Sequence, residues 1–136
     1  METVNKFVPF ALAVAVAAIA VFGRTGHHTG ASADPWFDQA VLRNPRPVVV
    51  KFGADWCGPC RSMDQTLDRL EPRFSHRARF LRINVDEKPE LFSAFGSGSG
   101  IPQVLIFRDG DVIASQKGFG GNEQLNTWLT ENLRGL

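Results

Sequence analysis

The sequence predicts one α/β domain layered around a mixed β-sheet, behind an apolar N-terminal segment. Three observations carry that expectation. Short β-branched runs alternate with stretches of helical spacing from residue 34 onward. An Asp-Gly pair joins the last two runs as a hairpin, so the sheet has antiparallel neighbours as well as crossover connections. The chain has 136 residues, the size of a single domain. With 43% apolar and 21% charged residues it has the balance of an ordinary globular protein, which excludes a disordered tail, a collagen-like repeat and a polytopic membrane protein. Fifteen Lys and Arg against fourteen Asp and Glu leave a formal charge of +1, so no basic field gathers nucleic acid.

The elements follow in order. Asp34 and Pro35 form a helix-start signal, an N-cap acceptor with proline in the first turn, and Trp36, Phe37, Ala40 and Val41 make the apolar stripe of a first helix. Pro45 and Pro47 end it. Val48 to Phe52 is a strand buried on both faces, interrupted by one charge, Lys51. From Cys57 to Phe74, Met63, Leu67 and Leu70 recur at helical spacing, and Pro72 is expected to bend or end that helix. Phe80, Leu81, Ile83 and Val85 make the next strand, Glu90 to Phe95 a short helix, and Gly96 to Gly100 a loop. Val104 to Phe107 and Val112 to Ser115 flank the turn Arg108, Asp109, Gly110 and Asp111. The closing helix runs from about Asn122 to Leu133 with Leu125, Trp128, Leu129 and Leu133 on one face.

Ahead of this domain, at residues 34–136, lie two further segments. Residues 1–23 contain sixteen uncharged residues from Phe7 to Phe22, between Lys6 and Arg24. A helix of that length covers about 24 Å against a bilayer core of ~30 Å, short for a spanning helix and long for a signal peptide. Ala31, Ser32 and Ala33 resemble a cleavage site but lie far from the apolar run, so a retained anchor and a cleaved signal both stay open. Either would export the rest of the chain, leaving it anchored in the inner membrane facing the periplasm or soluble in the periplasm. Residues 24–33 read as a flexible tether, in which His27 and His28 are expected to be solvated. Residues 34–136 hold thirteen basic and thirteen acidic side chains, so bulk charge does not choose this domain's partners.

The chemistry concentrates at Trp56, Cys57, Gly58, Pro59 and Cys60, where a buried strand turns into a helix. At a helix start, unpaired N–H groups and the positive end of the macrodipole stabilise a thiolate, the reactive form of cysteine. Cys60, one turn on, can reach the same sulfur. A Cys57 thiolate can attack a partner's disulfide, and Cys60 can then release the captured sulfur by attacking Cys57. Half of a metal site and an inert structural bridge are the competing readings. The sequence offers no second cysteine pair, and His76 is the single histidine of the domain, so no metal is expected. A disulfide closing so short a loop returns little chain entropy.

Trp-Cys-Gly-Pro-Cys is the signature of the thioredoxin family, and the chain resembles that family from about Trp36 to Leu133, element by element. The resemblance implies a thioredoxin-like fold and a thiol:disulfide oxidoreductase whose redox-active Cys57–Cys60 disulfide needs no separate cofactor. It implies that Ile101 and Pro102 form a cis-proline dipeptide against the cysteines. With Trp56, Gly58, Pro59 and Gly118 they would rim the groove that takes the partner. The most direct function is reduction of disulfides in exported client proteins, with electrons supplied by a transmembrane thiol donor. A disulfide oxidase or isomerase, or a non-catalytic client-binding module of the cell envelope, are the alternatives.

The departures from the family are as informative. The strand that usually precedes the first helix has no counterpart, so four strands are expected. Lys51 stands where the family commonly buries an acid beneath the cysteines, and it is expected to tune their acidity. A neutral amine there would serve as a base, a charged one would favour the thiolate, and a lysine that snorkels to water would do neither. Gln103 follows the cis-proline where threonine is common, and the Gly96 to Gly100 loop is about one residue longer than usual; both flank the groove. That glycine spacing is not a dinucleotide loop, because it runs from helix to strand.

Overall fold

The computed structural model describes residues 34–98 and 100–136. The expectations for residues 1–23 and 24–33 lie outside these residues. Among the described residues no helix is long and apolar enough to cross a membrane.

Asp34 caps the first helix, its carboxylate accepting from the N–H groups of Trp36 at 2.9 Å and Phe37 at 3.2 Å. The Lys88 ammonium hydrogen-bonds the same carboxyl and holds it below the usual carboxylate range, against the opposing effect of partial burial. Helix α1 (Pro35–Phe37) widens at once into a π-helical turn, Asp38–Leu42. Its wider ring closes where the Arg43 N–H donates to the Asp38 carbonyl at 2.8 Å. That register buries Phe37 and Val41 but leaves Trp36 half exposed, so Trp36 does not belong to the buried stripe.

Strands β1 (Val48–Gly53), β2 (Arg79–Asn84), β3 (Gln103–Arg108) and β4 (Asp111–Lys117) form one sheet in the order β2-β1-β3-β4. β1 pairs parallel to β2 and antiparallel to β3, and β3 pairs antiparallel to β4. The parallel pair is joined by helix α2 (Gly58–Phe74), as a crossover must be; helix α3 (Pro89–Phe95) returns the chain to β3 and helix α4 (Asn122–Asn132) closes it. Asp109 and Gly110 both adopt positive φ, 52° and 89°, which matches the twist of the hairpin they join. Its strands run longer than the apolar residues alone foretold, since polar ends continue the ladder to Lys117. Pro72 does not end α2: it lies on the exposed side and the helix runs on to Phe74.

Side-chain alternation on β1 divides the core in two. Val49 packs with Met63, Leu67, Leu125, Leu129 and Leu133 beneath α2 and α4. Val48, Val50 and Phe52 pack with Phe37, Leu91 and Phe107 beneath α1 and α3. Lys51 and Gly53 follow Val49 on the α2 face, at the end of the strand where that helix begins. The layering thus puts one charge and one gap directly under the first turn of α2.

Candidate active site

Cys57 occupies the N-cap of α2, with extended backbone, and Cys60 lies within the first turn. The two are joined as a disulfide, their Cα atoms 5.2 Å apart. The Cys60 N–H donates to Cys57 Sγ at 3.2 Å, so an unpaired amide of the helix start is aimed at that sulfur. Pro59 carries no N–H, which leaves the Cys60 amide as the donor that faces it. The environments of the two cysteines differ: Cys57 retains 6% exposure at the rim and Cys60 none. Of the two, Cys57 is the more exposed.

Ile101–Pro102 is a cis peptide, and Ile101 packs against Ala54, Cys57 and Cys60. The Pro102 carbonyl accepts from the Gly118 N–H at 2.8 Å, and Gly118 holds φ at 72°, which glycine adopts without penalty. Gly58 and Pro59 are exposed on the helix side of the cysteines. Trp56 is 69% exposed, its indole N–H donating to Asp86 Oδ2 at 2.8 Å. These six residues come from three separate segments, 56–59, 101–102 and 118, and lie at the end of the sheet that holds the disulfide. Gln103 is buried, and its amide accepts from Ser97 N–H at 3.0 Å and donates to the Gly100 carbonyl at 2.8 Å, stapling the loop that leads to Pro102.

Lys51 is buried, with 4% exposure. Its Nζ is ion-paired with Asp64 Oδ2 at 2.7 Å. Asp64 also lies 3.5 Å from the Arg82 guanidinium, which in turn meets Asp68 at 2.6 Å and Glu71 at 3.3 Å. Residues 64, 68 and 71 share one face of α2, so the helix lays an acidic stripe over two cations of the sheet. A cavity of about 370 Å³ opens beside this cluster, lined in part by Lys51, Gly53, Arg61, Asp64 and Arg82. Sequence reasoning singled out Lys51 but missed Asp64, Arg82 and Asp86. For Asp64 a signal existed: it stands four residues after Cys60, one turn further along the helix that covers Lys51.

The redox pair, the cis-proline and the four-stranded mixed sheet define a thiol:disulfide oxidoreductase of the thioredoxin kind. Comparison with known proteins agrees. The thioredoxin family model matches residues 28–131. Thioredoxin 1 of Synechococcus elongatus is 38% identical over 100 residues, 74% of this chain and 92% of its own. Thioredoxin of Rhodospirillum rubrum is 36% identical over 96 residues, 71% of this chain and 91% of its own. Thioredoxin of Allochromatium vinosum is 34% identical over 99 residues, covering 73% and 92%. The chain belongs to the thioredoxin family, and its substrates are disulfides.

Proposed function

We propose that this protein is an exported, membrane-tethered or periplasmic reductase that opens disulfides in client proteins of the cell envelope. Cys57 is the nucleophile. Its thiolate attacks a client disulfide, a Cys57–client bond forms, and one client sulfur leaves with the electron pair. Cys60 then attacks Cys57 Sγ and expels the second client sulfur, so the client is reduced and the domain oxidised. Trp56, Gly58, Pro59, Ile101, Pro102 and Gly118 form the groove in which the client lies. The observation that carries the assignment is the amide N–H aimed at the sulfur of the accessible cysteine, with its buried partner one turn away.

The uncharged run from Phe7 to Phe22 supports export, and a reductant working outside the cytoplasm needs electrons brought to it. A thiol donor within the membrane supplies them by exchange with the Cys57–Cys60 disulfide. Two measurements test this reading. Equilibration against a glutathione series should give a potential near that of reducing relatives, about −270 mV, while a value near about −120 mV would make the domain an oxidase. Cys60→Ser expressed with the native N-terminus should accumulate envelope proteins as mixed disulfides at Cys57. Recovery of cytoplasmic clients alone would contradict export.

A further inference from the structure

A lysine in the central strand of a sheet, under the redox pair, needs a physical reason. Burial disfavours an ammonium unless an anion accompanies it, and Asp64 is that anion. Gly53 shows where the cation stands. A methyl group built on Gly53 would lie 2.3 Å from Lys51 Nζ, 2.7 Å from Lys51 Cε and 3.2 Å from Cys60 Cβ, with no atom of Asp64 as near. The positive end of the ion pair therefore shares the space above Gly53 with Cys60. Arg82 neighbours Lys51 across the strand pair, but its guanidinium is engaged by Asp68 and Glu71, which leaves Lys51 as the cation beside Cys60.

We infer that Lys51, kept as a cation by Asp64, stabilises the thiolate of Cys60, favouring the reduced pair and speeding release of the client. The inference rests on the dithiol exchange proposed above. Burial alone disfavours the Cys60 thiolate, so a nearby positive charge acts on the step that needs it. In that step Cys60 Sγ attacks Cys57 Sγ, the Cys57–Cys60 bond forms and the Cys57–client bond breaks. The client sulfur leaves with the electron pair and takes a proton from water. The proton that Cys60 gave up passes to solvent. Lys51 keeps its own proton throughout and is a positioning charge, not a base.

The test compares wild type, Lys51→Met and Lys51→Met/Asp64→Asn. Asp64 is 32% exposed and retains Arg82, so Lys51→Met strands no buried charge, and the double variant removes both members of the pair. Each is equilibrated against reduced and oxidised glutathione, and resolution of a Cys57–glutathione mixed disulfide is timed at neutral pH. Wild type should be the most readily reduced, the double variant less so and Lys51→Met least. The full span should be about tenfold in the equilibrium constant, or about 30 mV, with resolution slowed in the same order. An equilibrium constant in either variant equal to that of wild type, or shifted toward the reduced form, overturns the inference. Insulin reduction by wild type is measured alongside. If wild type turns over insulin while the variants keep its potential, only the role of Lys51 falls; if it does not, the exchange reading falls with it.

Discussion

Gly53→Ala probes the packing that brings Lys51 to the cysteines. The added Cβ would sit 2.3 Å from Lys51 Nζ and 3.2 Å from Cys60 Cβ. Cys60 cannot retreat, because it is fixed in the first turn of α2 and bonded to Cys57. The ammonium must move instead, yet it is buried and held 2.7 Å from Asp64. Crowding the buried Lys51 side chain costs about 1–3 kcal/mol, and replacing a strand glycine by alanine returns roughly 0.5–1 kcal/mol of backbone entropy. The net loss spans about 0–2.5 kcal/mol and centres near about 1 kcal/mol, which for a domain of this size lowers Tm by about 4–8 °C. Thermal unfolding of the oxidised protein, followed by circular dichroism at pH 7, measures it. A raised Tm would mean that no ammonium occupies that space, and the geometry argued for Lys51 would be refuted.

Two further outcomes are expected. Asp34 has its carboxyl held low in the folded state, chiefly by the hydrogen bond from Lys88, so its contribution to stability is present above the ordinary carboxylate value of about 4 and fades as pH falls through the lower, folded value. Asp34→Asn should therefore melt below wild type at pH 7 and approach it in strong acid; parallel melting curves across that range would contradict the assignment. Gln103→Leu removes the amide that joins Ser97 to Gly100 and should cost about 1–2 kcal/mol, with faster hydrogen exchange at Ser97 read by mass spectrometry. Unaltered exchange there would show that the loop does not depend on this side chain.

What the sequence disclosed was whatever short-range chemistry decides. Asp34 beside Pro35 marked a helix start, Asp109 beside Gly110 a hairpin and Cys57 to Cys60 a redox turn, because caps, tight turns and adjacent thiols each act within four residues. The π-helical widening after Phe37 had no such mark, since it depends on which residues of α1 must face the sheet. Lys51 was visible as an anomaly, a charge in an apolar run, but its consequence was not. Its partner is Asp64, thirteen residues away on a different element. Trp56 and Asp86 met for the same reason, just beyond two strand ends that only the parallel pairing of β1 and β2 brings side by side.

The most direct test of the site is competitive alkylation of the fully reduced protein with iodoacetamide from pH 5 to 9, with modified residues located by mass spectrometry. A helix start that holds an accessible thiolate predicts that Cys57 reacts first and already reacts near neutral pH, well ahead of an ordinary thiol, while Cys60 stays protected until the fold is opened. Equal labelling of both cysteines at the rate of a free thiol, or reaction at Cys60 first, would contradict the account.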